Sequence, residues 1–157
     1  MPIDMEILLK ALAVAETGAF PLAIRHEKAY CYGGFYYTGP NGSLLRELSD
    51  IWGCLAHCSF SPWQIMYIAA VELGFKGDPI ALRESAIAKP YVMKYIQKRI
   101  LDRYPRITIE GVVDAWNTGR PDDVNFPRAT YAKKILDTYA HLISEEPFHG
   151  AVDRIST

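Results

Sequence analysis

The stretch DMEILLKALAVAETG, residues 4–18, has the clearest helical pattern in the chain. Asp4 can accept hydrogen bonds from the free backbone N–H groups at its start, and Gly18 is suited to end the helix. The pattern therefore predicts a helix over residues 4–16. Glu16 lies at its C-terminal end, where the helix dipole disfavours a carboxylate. The apolar positions recur at helical spacing and form one stripe, made of Ile7, Leu8, Ala11, Leu12 and Ala15.

Helical patterns also fill most of the chain beyond residue 42. Before them, residues 19–42 contain an aromatic run at 30–37 that surrounds Gly33 and Gly34, and we expect a loop or a small β-hairpin here. We therefore expect a mainly α fold, one helical domain over residues 1–157 with a small β-hairpin. The further predicted helices cover residues 43 to about 57, 61–74, 90–104, 108–119 and 127–144, and another begins at Asp78 and Pro79. Ser61 with Pro62, Thr108 and Pro127 are the start signals of the helices that they open.

The composition is that of an ordinary globular domain. The chain has 157 residues, of which 50% are hydrophobic and 22% charged, and its formal net charge is -1. A duplex-binding domain usually carries a basic face, so we expect no nucleic-acid partner, and a helical DNA-binding regulator is disfavoured. No apolar run reaches the roughly twenty residues of a membrane span, so we expect no stable membrane insertion. We expect a monomer.

The N-terminal residues lack the features of a secretory signal. The first charges are acidic, and Lys10 interrupts the apolar stretch that a signal needs. We therefore expect synthesis in the cytoplasm, and a wall-directed role would then require release by another protein.

The chain has three cysteines, Cys31, Cys54 and Cys58. A count that is both low and odd does not suggest a disulfide framework. If residues 54–58 are helical, Cys54, His57 and Cys58 share one face, with Cys31 as a fourth zinc ligand only if the hairpin folds over. A structural zinc site usually draws four ligands from two separated segments. Buried small side chains are the simpler interpretation, so we expect no bound metal, no cofactor and no obligatory disulfide.

Three separated segments, AETG at 15–18, SFSPWQIM at 59–66 and AWNTG at 115–119, occur in an order that resembles the lytic transglycosylases related to goose-type lysozyme. In that family the catalytic Glu ends a helix, a Gly-Leu-Met-Gln-Ile-Met segment follows, and Ala-Tyr-Asn-Ala-Gly comes later. Tyr131, within RATYAKKI at 128–135, is similar to the family's late tyrosine. The resemblance implies an α+β lysozyme-like fold.

The chain departs from the family pattern at several positions. Thr17 stands where the family usually has Ser, Ser61 and Trp63 replace Gly and Met, and Trp116 replaces Tyr. The Gly-rich run that normally precedes the central motif is not recognisable. These departures affect the expected sugar contacts more than they affect the acid.

The resemblance implies a site for cleaving the β-1,4 bond between N-acetylmuramic acid and N-acetylglucosamine in the peptidoglycan glycan strand. Glu16 would protonate the leaving oxygen and then take a proton from the muramyl C6 hydroxyl, which closes a 1,6-anhydro ring. No second carboxylate is then needed to hold water. The expected substrate-binding residues are Gln64, Met66, Trp116, Asn117 and Tyr131.

Purely structural roles for the same residues remain as alternatives. A Glu before Gly at a helix end is most often solvated, Met66, Trp116 and Tyr131 could be core residues, and Asn117 could simply end its helix. The alternative enzyme is a goose-type hydrolase that uses water, with Glu27 or Asp50 as the second carboxylate. A non-catalytic glycan-binding or structural relative in a phage particle is the alternative outside enzymes. The expected context is a phage or prophage endolysin that acts on the cell wall after release.

Overall fold

The first helix begins and ends where the sequence predicts. In the computed structural model, which describes residues 3–119 and 129–145, α1 runs over Met5–Thr17. The Asp4 side chain accepts a hydrogen bond from the backbone N–H of Ile7, and Gly18 closes the helix with a φ of 64°. The stripe residues Ile7, Leu8, Ala11 and Leu12 are buried, as are Leu9 and Ala13.

The fold is mainly helical with a small antiparallel sheet, which confirms the predicted class. Short 3₁₀ turns lie at Lys28–Tyr30, Gly53–His57 and Pro79–Arg83, and a π-helical turn over Ile96–Leu101 continues α5. The described helices after α1 are α2 (Phe35–Thr38), α3 (Ser43–Trp52), α4 (Tyr67–Glu72), α5 (Ser85–Tyr95), α6 (Ile109–Thr118) and α7 (Ala129–Glu145).

Only one strand of the β structure lies within residues 19–42, where the sequence placed it. The strands are β1 (Ile24–His26), β2 (Cys58–Phe60) and β3 (Ile65–Met66), in the order β1-β2-β3. Both pairings are antiparallel, with Arg25 opposite Ser59 and Ser59 opposite Met66. The hairpin is therefore formed by β2 and β3, over residues 58–66. The other edge of β2 pairs with β1, which lies more than thirty residues earlier in the chain.

Of the two structures expected for the aromatic run, a loop or a small β-hairpin, the hairpin is wrong. Residues 30–37 form the end of a 3₁₀ turn and most of α2. A Cβ on Gly34 would lie 2.7 Å from the carbonyl oxygens of Lys28 and Ala29, so the glycine allows a close backbone approach. The Gly-Gly pair thus turns the chain back on itself and does not join two strands.

The predicted helix over 61–74 is also wrong in its first half. Ser61 and Gln64 adopt positive φ values of 71° and 57°, which no helix contains, and helix α4 begins only at Tyr67. The backbone N–H of Ser61 instead donates to the carbonyl of Ala23, next to β1. Pairing with a distant strand therefore overrides the local Ser-Pro helix signal.

Other element boundaries are partly confirmed. The segment 43–57 divides at Gly53, whose φ is 57°, into α3 and a 3₁₀ turn. The Asp78 side chain caps the 3₁₀ turn at Pro79–Arg83, and Thr108 caps α6, which Gly119 ends as predicted. The helix predicted over 90–104 starts earlier, at Ser85. Pro127 lies outside the described residues, and α7 continues to Glu145.

One core joins these elements. Phe60 in β2 is fully buried and belongs to the same hydrophobic cluster as apolar side chains from α1, α5, α6 and α7. Helix α7 packs along α1, which carries Glu16 at its C-terminal end. Among the described residues, no helix has the length and apolar character needed to cross a bilayer. The fully buried side chains that represent the four helices are Leu8, Val92, Val112 and Ile135.

Candidate active site

The side chain of Glu16 is held in a defined position at the end of α1. This side chain is only 11% exposed. Oε1 accepts hydrogen bonds from the Tyr131 hydroxyl at 2.5 Å and from Trp116 Nε1 at 3.3 Å. These donors come from α7 and α6, which meet α1 at this point. A solvated surface glutamate would have no such partners, so Glu16 is not the solvated helix-end residue that its local sequence alone would suggest.

The environment of Tyr131 keeps its hydroxyl protonated. Burial raises the pKa of Tyr131 well above its ordinary value of 10, and the adjacent Glu16 carboxylate raises it further by its charge and by the hydrogen bond. Arg25 opposes this shift weakly. Tyr131 is therefore a hydrogen-bond donor to Glu16 throughout the neutral pH range.

Two long-range hydrogen bonds connect α1 to the β2–β3 turn. The Thr17 hydroxyl lies 3.1 Å from the carbonyl oxygen of Pro62, to which it can donate. Trp63 donates from Nε1 to the carbonyl of Leu9 at 2.8 Å, and its side chain is buried. Thr17 and Trp63 are two of the departures from the family pattern, and in this chain both bind the turn to the helix that carries Glu16.

The same turn positions Gln64. Its amide Nε2 donates to the carbonyl of Ser61 at 2.8 Å, and its Oε1 accepts from the Ser59 hydroxyl at 2.9 Å. The side chain is 8% exposed, so its rotamer is set by these two partners. The left-handed backbone at Gln64 therefore places a fixed amide beside the cavity that Glu16 lines.

A second carboxylate, Glu27, lies on the same side of the cavity as the sheet. Arg25 spans the two acids: its Nε donates to Glu27 Oε1 at 2.6 Å, and its Nη1 lies 3.8 Å from Glu16 Oε2. Ser59 Oγ also lies 2.8 Å from Glu27 Oε1. Asp50, the other candidate, is exposed on α3 and does not line this cavity.

These side chains surround one cavity of about 510 Å³. A space of this size is in the range of small-molecule and sugar sites. The structure brings together five of the six residues chosen from the sequence as lining residues, and Tyr131 joins them through its hydrogen bond to Glu16. The five are Glu16, Gln64, Met66, Trp116 and Asn117.

The aromatic walls of the cavity are Trp116, which the sequence selected, two tyrosines from the aromatic run at 30–37, and Tyr95. Tyr30 stacks on Tyr36 with ring centroids 4.3 Å apart, and Tyr95 meets the Trp116 ring edge-on at 5.4 Å. All four rings line the cavity. The density of tyrosines at 30–37 was the available signal for the first pair, whereas Tyr95 has the helical spacing of an ordinary core residue. Arg25 was missed because nothing in its local sequence sets it apart.

The cysteines do not form the arrangement considered from the sequence. Residues 53–57 are a 3₁₀ turn and Cys58 begins β2, so Cys54, His57 and Cys58 share no helix face. Cys54 is exposed, and burial raises the pKa of the Cys58 thiol to about 11. Its Sγ donates to the carbonyl of Cys54 at 3.3 Å. Cys58 is therefore a buried, neutral thiol.

No protein-family model, curated protein or solved structure matches this chain. The function of the cavity is therefore inferred from its own residues and from the resemblance of the short motifs that supply them.

Proposed function

We propose that this protein cleaves the peptidoglycan glycan strand as a lytic transglycosylase, with Glu16 as its general acid and base. The observation that carries the proposal is the setting of Glu16: a largely buried carboxyl at the head of a cavity, held by Tyr131 and Trp116. Carboxyls that are held in position and face a cavity are the residues expected to do acid–base chemistry.

The two carboxyl oxygens of Glu16 have different surroundings. Among the described contacts, Oε1 accepts the hydrogen bonds from Tyr131 and Trp116, whereas Oε2 has an ion-pair contact to Arg25 that is too long for a direct hydrogen bond. Oε2 is therefore the oxygen suited to carry the proton. Protonated Glu16 gives this proton to the glycosidic oxygen as the bond to the anomeric carbon breaks.

The second half of the reaction uses the same carboxylate. The muramyl C6 hydroxyl attacks the anomeric carbon, and its proton returns to Glu16, which closes the 1,6-anhydro ring and restores the acid. The C6 hydroxyl belongs to the substrate and lies on the ring being attacked, so the nucleophile is held in place without a bound water. Arg25 steadies the carboxylate of Glu16 between the two proton transfers.

The remaining cavity residues suit an amino sugar. The amides of Gln64 and Asn117 can exchange hydrogen bonds with acetamido groups, and Met66 also lines the cavity. The four aromatic rings offer apolar faces against which pyranose rings can pack. A concave site with a few fixed polar groups and aromatic walls is the usual form of a small-ligand site.

The direct test is digestion of purified peptidoglycan, with mass spectrometry of the soluble products. Wild-type protein is expected to release anhydro-muropeptides, which lack the water that hydrolysis adds. Glu16→Gln keeps the shape of the side chain but cannot donate and recover a proton, so release should fall at least about a hundredfold. Glu6→Gln, the same change in the first turn of the same helix, is the control. Near-wild-type release by Glu16→Gln would end the proposal.

A hydrolase of goose-lysozyme type is the second candidate, because Glu27 lines the same cavity as Glu16. In that reaction Glu27 would direct a water to the anomeric carbon. The ion pair with Arg25 instead occupies Glu27 Oε1, and the Ser59 hydroxyl oxygen lies 2.8 Å from the same atom, which favours a positioning role. Products heavier by one water would establish the hydrolase.

The biological setting proposed with this activity is that of a phage or prophage endolysin. A non-catalytic glycan-binding relative remains the alternative outside enzymes. It predicts that the protein binds glycan strands and releases no soluble product, which the same digestion reveals.

A further inference from the structure

We propose that His26, Cys31 and His57 bind one zinc ion beside the cavity. The metal-ligating atoms of these three side chains lie within 4.8 Å of one another. They come from three separate segments: His26 ends β1, Cys31 follows the 3₁₀ turn at Lys28–Tyr30, and His57 ends the 3₁₀ turn before β2. No sequence motif links them, and this proposal departs from the sequence expectation of no bound metal.

The distances suit zinc with little rearrangement. In a tetrahedral site with the usual bond lengths, sulfur and nitrogen ligands are about 3.3–3.6 Å apart. Cys31 Sγ is already 3.3 Å from Nε2 of His26. Drawing in His57 requires shifts of roughly an ångström. One thiolate and two imidazoles form a donor set that zinc prefers over magnesium or calcium.

The hydrogen bonds of Ser49 are compatible with the His57 tautomer that a metal needs. When the Ser49 hydroxyl donates its one proton to the carbonyl of Leu45, 2.6 Å away, its oxygen accepts at 2.8 Å from His57 Nε2–H. Nδ1 then carries the lone pair. A hydrogen bond of this kind on the opposite ring nitrogen is the usual support of a metal-binding histidine.

The Nδ1 lone pair of His57 accepts no hydrogen bond from the described residues. His57 is 1% exposed, and its Nδ1 is buried without a hydrogen-bond partner among the described residues. The ring is enclosed edge-on by Tyr32 and Tyr37. A buried nitrogen acceptor left unpaired is costly, and a metal ion would satisfy it.

The proposed site can be reached from solvent. His26 is exposed and Cys31 is half-buried, so the ion can enter from the surface. Three protein ligands leave one tetrahedral position for water. Zinc would join β1 to the turn before β2. Since Arg25 and Glu27 flank His26 in the sequence, it would also brace the two charged residues that line the cavity.

The test is metal binding by the purified full-length chain, independent of any glycan activity. After removal of metals, Co²⁺ and Zn²⁺ are titrated separately, with absorption reporting thiolate–Co²⁺ charge transfer and a competing chelator reporting zinc affinity. We expect one ion per chain, a tetrahedral Co²⁺ spectrum with the thiolate band, and a higher Tm with zinc. Absence of stoichiometric binding at micromolar protein overturns the proposal.

Four variants locate the ion. Cys31→Ser and His26→Gln, at accessible positions, should each weaken zinc binding more than about a hundredfold, since loss of a supporting residue alone costs 10–100-fold. Ser49→Ala should fall within that lower range. Cys54→Ser, a matched change at an exposed thiol, should bind like wild type. A thiolate band that survives Cys31→Ser but disappears in Cys54→Ser would place the metal elsewhere and refute the site.

Discussion

Tyr131 donates its hydroxyl hydrogen bond to Oε1 of Glu16 across a sequence separation of 115 residues. The bond joins the C-terminal end of α1 to α7, the two helices that pack along each other. A carboxylate that is mostly withdrawn from water depends on such donors for its position. This pair therefore offers the most direct way to separate the positioning of Glu16 from its proton chemistry.

Replacing Tyr131 by Phe removes the hydroxyl and retains the ring. A hydrogen bond to a charged group contributes about 1.5–3 kcal/mol, so a loss of roughly 10–100-fold in kcat is expected if the bond positions Glu16 for reaction. KM should change little, because the ring remains beside the cavity. Steady-state kinetics on soluble glycan strands would measure both. An unchanged kcat with a raised KM would instead assign Tyr131 to substrate binding.

The raised pKa of Tyr131 predicts a specific loss of stability in alkali. Burial and the Glu16 charge favour the neutral hydroxyl in the folded state, whereas the unfolded tyrosine ionises near pH 10. Its contribution is fully present below pH 10 and declines as the pH rises above it. Urea unfolding from pH 8 to 11 should show a shallower decline for Tyr131→Phe than for wild type. Parallel curves would contradict the prediction.

Glu27→Gln distinguishes the two enzyme hypotheses. If the C6 hydroxyl is the nucleophile, this variant keeps anhydro products and loses much less activity than Glu16→Gln. The control is Asp50→Asn, since Asp50 is exposed and outside the cavity. If Glu27→Gln matches the loss in Glu16→Gln while the protein remains folded, water is the acceptor. Product masses provide the independent check.

Trp63 is expected to stabilise the junction of α1 with the β2–β3 turn. Trp63→Phe removes the buried hydrogen bond to the Leu9 carbonyl and part of the ring, and should lower the free energy of unfolding by about 1–3 kcal/mol. Phe35→Ala, at a side chain that is 78% exposed, should change it by less than about 0.5 kcal/mol. Urea denaturation of the two variants measures the difference. Equal effects would show that the junction is not specifically stabilising.

Glu16→Gln itself should leave the fold intact. The Gln side chain keeps an oxygen that can accept from Tyr131 and Trp116, so the free energy of unfolding is expected to change by about 1 kcal/mol or less. Urea denaturation beside the activity assay establishes this. A much larger loss would mean that reduced activity reports unfolding and not the missing proton.

The sequence by itself determined the helices that are specified locally. For α1 and α6, a capping side chain, an apolar stripe and a glycine at the end all lie within one segment, and each acts over a few residues. The same reasoning placed Glu16 at a helix end and selected Gln64, Met66, Trp116 and Asn117, which line one cavity. Those choices relied on the order of short sequence motifs, which can be recognised without knowing which residues contact one another in the fold.

Only the tertiary structure decided where the strands lie and what surrounds Glu16. The Ser61–Gln64 turn has helix-forming signals, but pairing of β2 with β1 and the Trp63 bond to α1 hold two of its residues at positive φ. Likewise, Arg25 reaches Glu16, and His26 and Cys31 reach His57, through pairings between distant segments. A local pattern carries no information about such partners, because their interaction arises only when the chain is folded.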